Sequence, residues 1–498
     1  QQRLDQLKTA KERNKWGQFA TPPALSLDIA RYAWQKLRRR QGGFRFLDPA
    51  IGTGSFFGAF RQCFPNDRVE CATGIELDEP FADAAAKIWR LQGLRVVQGD
   101  FTKQKPEPVY NVVLTNPPYV RHHHLAAQDK QRLGSLVQSA TGLRLSGLSG
   151  LYCYFLLIAD AWLAENGLAI WLIPSEFMDV NYGEEVKRYL LEQVSLLQIH
   201  RFCPSDVQFD DALVSSAIVV FEKRKPQSDH EAVFSFGGAL GEPTKAEPVA
   251  LEELRAARKW TSLPRRTVSV AQTGSVTLGD LFAVKRGLAT GNNDFFILPR
   301  VKSDELAIPP EYIRPILPSP RFLRQEIVDA DADGWPQIDR QLALIDCGLD
   351  EAEIGEKWPR FAEYLQAGRK QGVHEGYLAS RRSPWYSQEK REPAPFACTY
   401  MGRSLERPFR FIWNRSRATA ANVYLLLYPK DFVARQVLKN AERVFSALQA
   451  IRPERFLSEG RVYGGGLHKM EPAELMRLPA DEIAEVLDLD WRRQTSLF

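Results

Sequence analysis

Cysteine is scarce and scattered in this chain of 498 residues: Cys63, Cys71, Cys153, Cys203, Cys347 and Cys398 form no CxxC pair. That spacing excludes a paired-cysteine zinc module and offers no disulfide framework, so the chain reads as reduced and cytoplasmic. No apolar run approaches the roughly 18–20 residues that span a bilayer, and no signal-peptide pattern opens the sequence, which argues against a membrane role. Internal repeats and low-complexity tracts are also absent. What is present is an ordinary globular balance, 44% hydrophobic and 26% charged with a net charge of +5. The length suits two or three domains with sizeable cores.

The charge is unevenly placed. Residues 1–45 carry eleven Lys and Arg against three Asp and Glu, and residues 381–417 carry nine against three with seven aromatics interleaved. One such run is ordinarily a solvated face; two runs far apart in sequence favour a polyanionic partner.

Residues 1–40 read as helical, with Thr21, Pro22 and Pro23 opening a second helix as cap and first-turn prolines. Short apolar strands then alternate with helices: strands at 44–47, 71–75, 95–98, 109–114, 169–173, 196–200 and 215–221, helices at 55–63, 79–91, 151–165 and 183–192. This rhythm predicts an α/β fold over 1–223, a doubly wound Rossmann-like sheet with helices on both faces. Residues 224–275, rich in Lys, Pro, Gly and Ser, read as a linker with a short hairpin. From 276 to 498 the alternation is lost, and a second domain of mixed α/β content is expected.

Three strand ends carry candidate ligand groups. Phe46-Leu-Asp-Pro-Ala-Ile-Gly-Thr-Gly-Ser55 reads as strand, glycine-rich turn and helix start, so Gly52 and Gly54 let the backbone approach a ligand. The turn lacks the lysine of a phosphate-binding P-loop, and Asp48 before it suits a cationic or amine-bearing ligand instead. Glu76 follows Gly52 by 24 positions at the end of the next strand, where an acid can accept from both ribose hydroxyls. Asp100 and Phe101 follow the third strand, where the acid can accept from an adenine amino group and the ring can cover the base. Each alone is as readily a helix cap or a loop turn. Together they sit where open sheets bind ligands, at the carboxyl edge.

The fourth strand runs into Asn116-Pro-Pro-Tyr119. The Asn116 side-chain carbonyl and the rigidly held backbone carbonyl of Pro117 are two converging acceptors for the hydrogens of an exocyclic amine. Holding both draws the nitrogen lone pair out of conjugation, and Tyr119 offers a face for a base to stack on.

In order and composition these motifs resemble the gamma-class, TaqI-type N6-adenine DNA methyltransferases. The resemblance is strong over about residues 15–223. It continues through Leu278–Phe296, similar to the entry of that family's recognition domain, and is then thin until Gly464–Met470. It implies a catalytic half that binds S-adenosylmethionine and a C-terminal half that recognises double-stranded DNA. Thr21, within Phe19-Ala-Thr-Pro-Pro23, would contact the methionine end of the cofactor. Asp48, Ala50, Gly52 and Gly54 would form the cofactor loop, Glu76 would hold the ribose, and Asp100 with Phe101 and Pro118 would surround the adenine. Phe155 would close the pocket. Gln208-Phe209 matches the motif whose Phe stacks on the flipped target base, opposite Tyr119. Arg286, Arg381, Arg382, Arg415 and Lys469 are the candidate DNA contacts in the second half.

Two alternatives share the amine-holding logic: an amino-methyltransferase acting on RNA or on a protein glutamine, or a catalytically inert DNA-binding specificity subunit. His122-His-His124 reads as a substrate-side loop, because three adjacent histidines are poor metal geometry and the chemistry needs no metal. Cys203-Pro204 reverses the order used by cytosine-C5 enzymes and reads as packing. Glu389-Lys390 lacks the Pro-Asp of a nuclease motif, so any restriction endonuclease is expected to be a separate partner.

Overall fold

The computed structural model describes residues 4, 8, 9, 12, 13, 16–202, 215–263, 276–404, 406–463 and 467–489. Two compact units are present, one formed by residues 1–268 with 463–466 and the other by residues 269–462 with 467–498.

The first unit is built on nine described strands. They are β1 (Phe44–Asp48), β2 (Val69–Glu76), β3 (Leu94–Gln98), β4 (Tyr110–Thr115), β5 (Leu163–Pro174), β6 (Ser195–Arg201), β7 (Ser216–Glu222), β8 (Glu231–Gly238) and β9 (Pro243–Ala250). Their order across the sheet is β3-β2-β1-β4-β5-β7-β6-β8-β9. β1 to β5 run parallel, and β7 enters antiparallel between β5 and β6. The central strands are apolar on both faces, as parallel strands covered by helices must be. Val112, Leu114, Ile170 and Leu172 point into a core shared with α1 (Pro23–Leu37) and α2 (Ser55–Cys63). Val113, Ala169, Trp171 and Ile173 alternate onto the other face, against α5 (Leu151–Ile158) and α6 (Glu184–Glu192). Between these helices lie α3 (Glu79–Trp89) and α4 (Ala127–Thr141). Pro23 takes the first turn of α1, where its missing N–H has no intrahelical partner to lose.

This is the Rossmann-like sheet expected from the rhythm of the chain, with three differences. The helix expected over 151–165 stops at Ile158, and β5 already begins at Leu163. The run from Leu151 to Leu163 is apolar nearly all round, so it has no period to mark where helix yields to strand. The segment 224–275 is more than a linker with a hairpin: its hairpin, β8–β9, extends the sheet, with β8 parallel to β6. The helix α4 is an addition with a weak signal, since it buries only Leu133 and Val137.

The second unit has mixed α/β content. Tyr424–Pro429 lies between Phe282–Arg286 and Phe396–Thr399 in a five-stranded antiparallel-centred sheet, and Leu342–Ile345 is inner to a four-stranded one. Among the described residues, no helix is long and apolar enough to cross a membrane.

Candidate active site

A cavity of about 1740 Å³ opens at the carboxyl ends of β1 to β4, beside the point where the strand order reverses. Asp48, Glu76, Asp100 and Asn116 all line it, with Thr21, Ala50, Gly52, Gly54, Phe101, Pro118 and Phe155. Residues spread over about 135 positions of sequence thus share one wall because most of them follow a strand or precede a helix at the same sheet edge, while Phe155 reaches it from within α5.

Glu76 ends β2 and clamps the glycine-rich turn. Its Oε2 accepts from Gly52 N at 2.9 Å, and its Oε1 accepts from Asp78 N at 2.9 Å. Burial raises the carboxyl pKa, and these backbone donors oppose the rise. Each oxygen keeps a second lone pair for a ligand. Asp48 is 1% exposed, and its Oδ1 accepts from both Ala50 N at 3.1 Å and Thr115 Oγ1 at 2.7 Å. Burial lifts it to about 7. Gly52 and Gly54 both adopt positive φ, 54° and 91°. A Cβ on Gly54 would meet Trp89 Nε1 at 2.3 Å, and that indole N–H donates to Thr53 O at 2.8 Å. The glycine is therefore needed for the packing of Trp89 as well as for the turn.

Asp100 caps the short turn after β3: Oδ1 accepts from Thr102 N at 2.9 Å and Thr102 Oγ1 at 2.7 Å, while Oδ2 lies 3.7 Å from Arg132 Nη2. Phe101 and Phe155 are neighbours, with ring centroids 5.1 Å apart. Phe101 is 2% exposed and packs on Trp162, so most of its surface serves the core rather than a ligand face.

The Asn116–Tyr119 segment is arranged around one amide. Asn116 Nδ2 donates to Phe19 O at 3.0 Å and to Thr21 Oγ1 at 3.2 Å. Phe19 O can only accept, which fixes the amide orientation and turns the carbonyl away from the 17–21 segment. Asn116 Oδ1 is buried with no hydrogen-bond partner. Such an atom is rare in folded proteins and calls for a reason. Tyr119 differs from the expectation of an open stacking face. It is 6% exposed, its hydroxyl donates to Leu172 O at 3.1 Å, and its ring packs beside Phe19 and Tyr152 at 5.5 and 6.5 Å. A buried tyrosine needs a partner for its hydroxyl, and finding one beneath the sheet edge draws the ring inward. Phe19, rather than Tyr119, lines the cavity. Pro117 is buried and Pro118 half-buried, and only Pro118 of the two lines the cavity. Phe209 and Gln208 lie outside the described residues.

Of the five cations expected to contact DNA, Arg382 is committed internally. Its guanidinium donates to Ala289 O at 2.7 Å, Thr290 O at 2.8 Å and Gln388 Oε1 at 3.0 Å, the planar fork being well shaped for neighbouring carbonyls. Arg415 pairs with Asp329 at 2.8 Å, and Lys469 with Glu471 at 2.8 Å. Arg286 covers the ring of Tyr400 at 4.1 Å, and Arg381 covers Tyr377 at 3.8 Å. Six of the seven aromatics in 381–417 are buried, so that stretch supplies core as much as surface. The three histidines 122–124 form a single short turn in which only His124 reaches the cavity. Among the described residues, no group of His, Cys, Asp and Glu has the clustering of a metal site.

Sequence comparison agrees with the fold. Residues 79–209 match the Eco57I restriction-modification methylase family model, and residues 265–495 match that of the C-terminal domain of the Type II methyltransferase M.Eco57I. The class that fold and sequence resemble is therefore the restriction-modification methyltransferases. In particular, the chain is 27% identical to the Type II methyltransferase M.XamI of Xanthomonas campestris pv. amaranthicola over 446 residues, 87% of this chain and 80% of that one. It is 24% identical to M.AccI of Acinetobacter calcoaceticus over 478 residues, 93% and 85% of the two chains. Among solved structures, the Type IIL restriction-modification enzyme MmeI, determined in complex with DNA, shares the fold at a TM-score of 0.59 and 13% identity, over 99% of this chain and 81% of that one.

Proposed function

We propose that this chain is a sequence-specific DNA adenine-N6 methyltransferase that uses S-adenosylmethionine, with the first unit catalytic and the second unit recognising the target. The observation that carries the reading is the buried, partnerless Oδ1 of Asn116, whose amide has both N–H groups held by Phe19 and Thr21 so that only an acceptor is left unpaired. An exocyclic amine is the donor that such an acceptor fits.

The cavity suits the cofactor. It combines about 1740 Å³ of space, three acidic side chains at successive strand ends and a turn whose positive-φ glycines bring the backbone to the cavity wall. Glu76 would hold the ribose, Asp100 and Phe101 the adenine, and Thr21, Asp48 and Ala50 the remaining end, with Phe155 and Pro118 alongside. When bound, the cofactor supplies an electrophilic methyl group on a sulfonium. Asn116 Oδ1 and the Pro117 carbonyl each accept one hydrogen of the target amine and direct its lone pair outward. The proton released on transfer leaves to solvent or through Asn116.

A base held this way has left the duplex, because N6 is out of reach inside the stack. Extrusion costs a few kcal/mol, offset by stacking and phosphate contacts. Phe19, whose carbonyl accepts from Asn116, lines the cavity, and its ring packs beside Tyr119 at 5.5 Å. Stacking on Tyr119 would need its buried ring to be uncovered. The likeness to Type II methyltransferases supports double-stranded DNA as substrate and a separate restriction endonuclease as partner.

Incubation with labelled S-adenosylmethionine and separate DNA, RNA and protein pools tests this. Label is expected in DNA, as N6-methyladenine after digestion; label confined to RNA or protein would sink the reading.

A further inference from the structure

We propose that residues 17–21 form a strap that sets the direction of the Asn116 carbonyl, and that Thr21 acts as a positioning residue for Asn116. This rests on the functional reading above and differs from it over Thr21, which that reading assigns to the cofactor.

Four contacts define the strap. Tyr119 N donates to Gly17 O at 3.0 Å, and Asn116 Nδ2 donates to Phe19 O at 3.0 Å and Thr21 Oγ1 at 3.2 Å. The Ser55 hydroxyl donates to Thr21 O at 3.1 Å, tying the strap to the start of α2. On the cofactor side, Gln18 Nε2 donates to Asp78 Oδ2 at 3.0 Å. Gly17 lies so close to the segment it holds that a Cβ would meet Tyr119 N at 2.3 Å, and its φ of +62° is one that side chains disfavour. Strap and Asn-Pro-Pro-Tyr segment are thus pressed backbone to backbone.

The chemistry of a primary amide explains why this matters. Rotating the Asn116 amide by half a turn exchanges its oxygen and nitrogen, and the exchanged form would present a donor to the substrate amine. The strap excludes that form, because Phe19 O facing Oδ1 would place two acceptors together. Thr21 Oγ1 takes the second N–H, so both donors are held and the carbonyl is the one polar end left. Asn116 Oδ1 stays buried and partnerless in the resting protein for the same reason. The strap prepares the acceptor before substrate arrives, which is how a fixed dipole contributes to rate.

The test compares Thr21→Val, which keeps shape but removes the hydroxyl, with Thr21→Ser, which restores it. Full-length protein is assayed with tritiated S-adenosylmethionine and unmethylated mixed-sequence DNA, and cofactor affinity is measured separately by calorimetry. The expected result is a fall in kcat of about three- to tenfold for Thr21→Val, the equivalent of one net hydrogen bond, with cofactor Kd within about twofold and kcat restored by Ser. A rise of about tenfold in cofactor Kd with kcat unchanged would overturn the inference and return Thr21 to the cofactor. Wild-type values for both parameters in the Val variant would overturn it too. If wild-type protein labels no DNA, it is the functional reading that fails; if wild type is active and Thr21→Val is silent, only the strap does.

Discussion

At the sheet edge of the first unit, Asn116 commits both amide hydrogens to residues 17–21 and leaves Oδ1 buried without a partner, whereas in the second unit the Arg382 guanidinium spends three of its donors on Ala289, Thr290 and Gln388. Both side chains stood out in the sequence as functional candidates. One belongs to a cavity-lining residue and keeps a buried acceptor with no partner, and the other gives its donors to backbone and side-chain acceptors of its own unit. A polar residue in a suggestive motif becomes a functional candidate through what its neighbours leave unsatisfied. Composition alone does not reveal that remainder.

The strongest way to break this contrast is Asn116→Ala. Transfer should fall by at least about 10²–10³-fold, the scale seen when a fixed polar group at a reacting centre is removed. Cofactor binding by calorimetry should stay within about threefold. Equal loss of both would mean that Asn116 supports the pocket rather than the amine.

Next in size is the buried acid beneath it. Burial holds Asp48 at about 7, above the ordinary carboxylate value near 4. The folded state therefore binds the proton more tightly than the unfolded chain between those values, so stability falls as pH rises through that window and levels off above it. Between pH 5 and pH 8 this group should account for roughly 2–3 kcal/mol of lost stability. Asp48→Asn, which keeps an oxygen for Ala50 and Thr115, should flatten that slope in urea titrations at the two pH values; Glu76, also raised by burial, leaves a residual slope of the same sign. An unaltered slope would show that Asp48 is already relieved of its charge penalty.

The smallest effects sharpen the other side of the comparison. Arg382→Ala should lower stability by about 1–2 kcal/mol, since it removes donors from three acceptors. Arg381→Ala, an exposed cation stacked on the 72% exposed Tyr377, should change stability by less than about 0.5 kcal/mol. It should instead reduce the salt dependence of DNA affinity by about one unit of log–log slope. If Arg381→Ala leaves that slope unchanged, Arg381 serves the fold as Arg382 does.

Much of the sheet was legible because parallel strands buried on both faces are continuous apolar runs, and the candidate ligand groups Asp48, Glu76, Asp100 and Asn116 sit at their ends. Boundaries were read poorly where apolarity has no period, as between Ile158 and Leu163. The hairpin at 231–250 was visible as a hairpin, but its union with β6 is a pairing between distant strands that local composition does not encode. Tyr119 illustrates a deeper limit: its motif suggests a stacking face, but the carbonyl of Leu172, 53 positions away, captures its hydroxyl. The bond between Asn116 and Thr21 spans 95 positions, and each residue was recognised separately without any sign that they meet.

Trp89 carries a practical consequence. Its indole N–H is bonded to Thr53 O, its ring rests where Gly54 lacks a side chain, and it forms part of the cavity wall. The chromophore is thus wired to the turn expected to close around a ligand. Subtracting the emission of a Trp89→Phe variant from that of the wild type, which has eleven tryptophans, isolates the signal of the one indole bonded to that turn. The fold has placed an optical sensor beside its own glycine-rich turn, where ligand entry can be timed without a label.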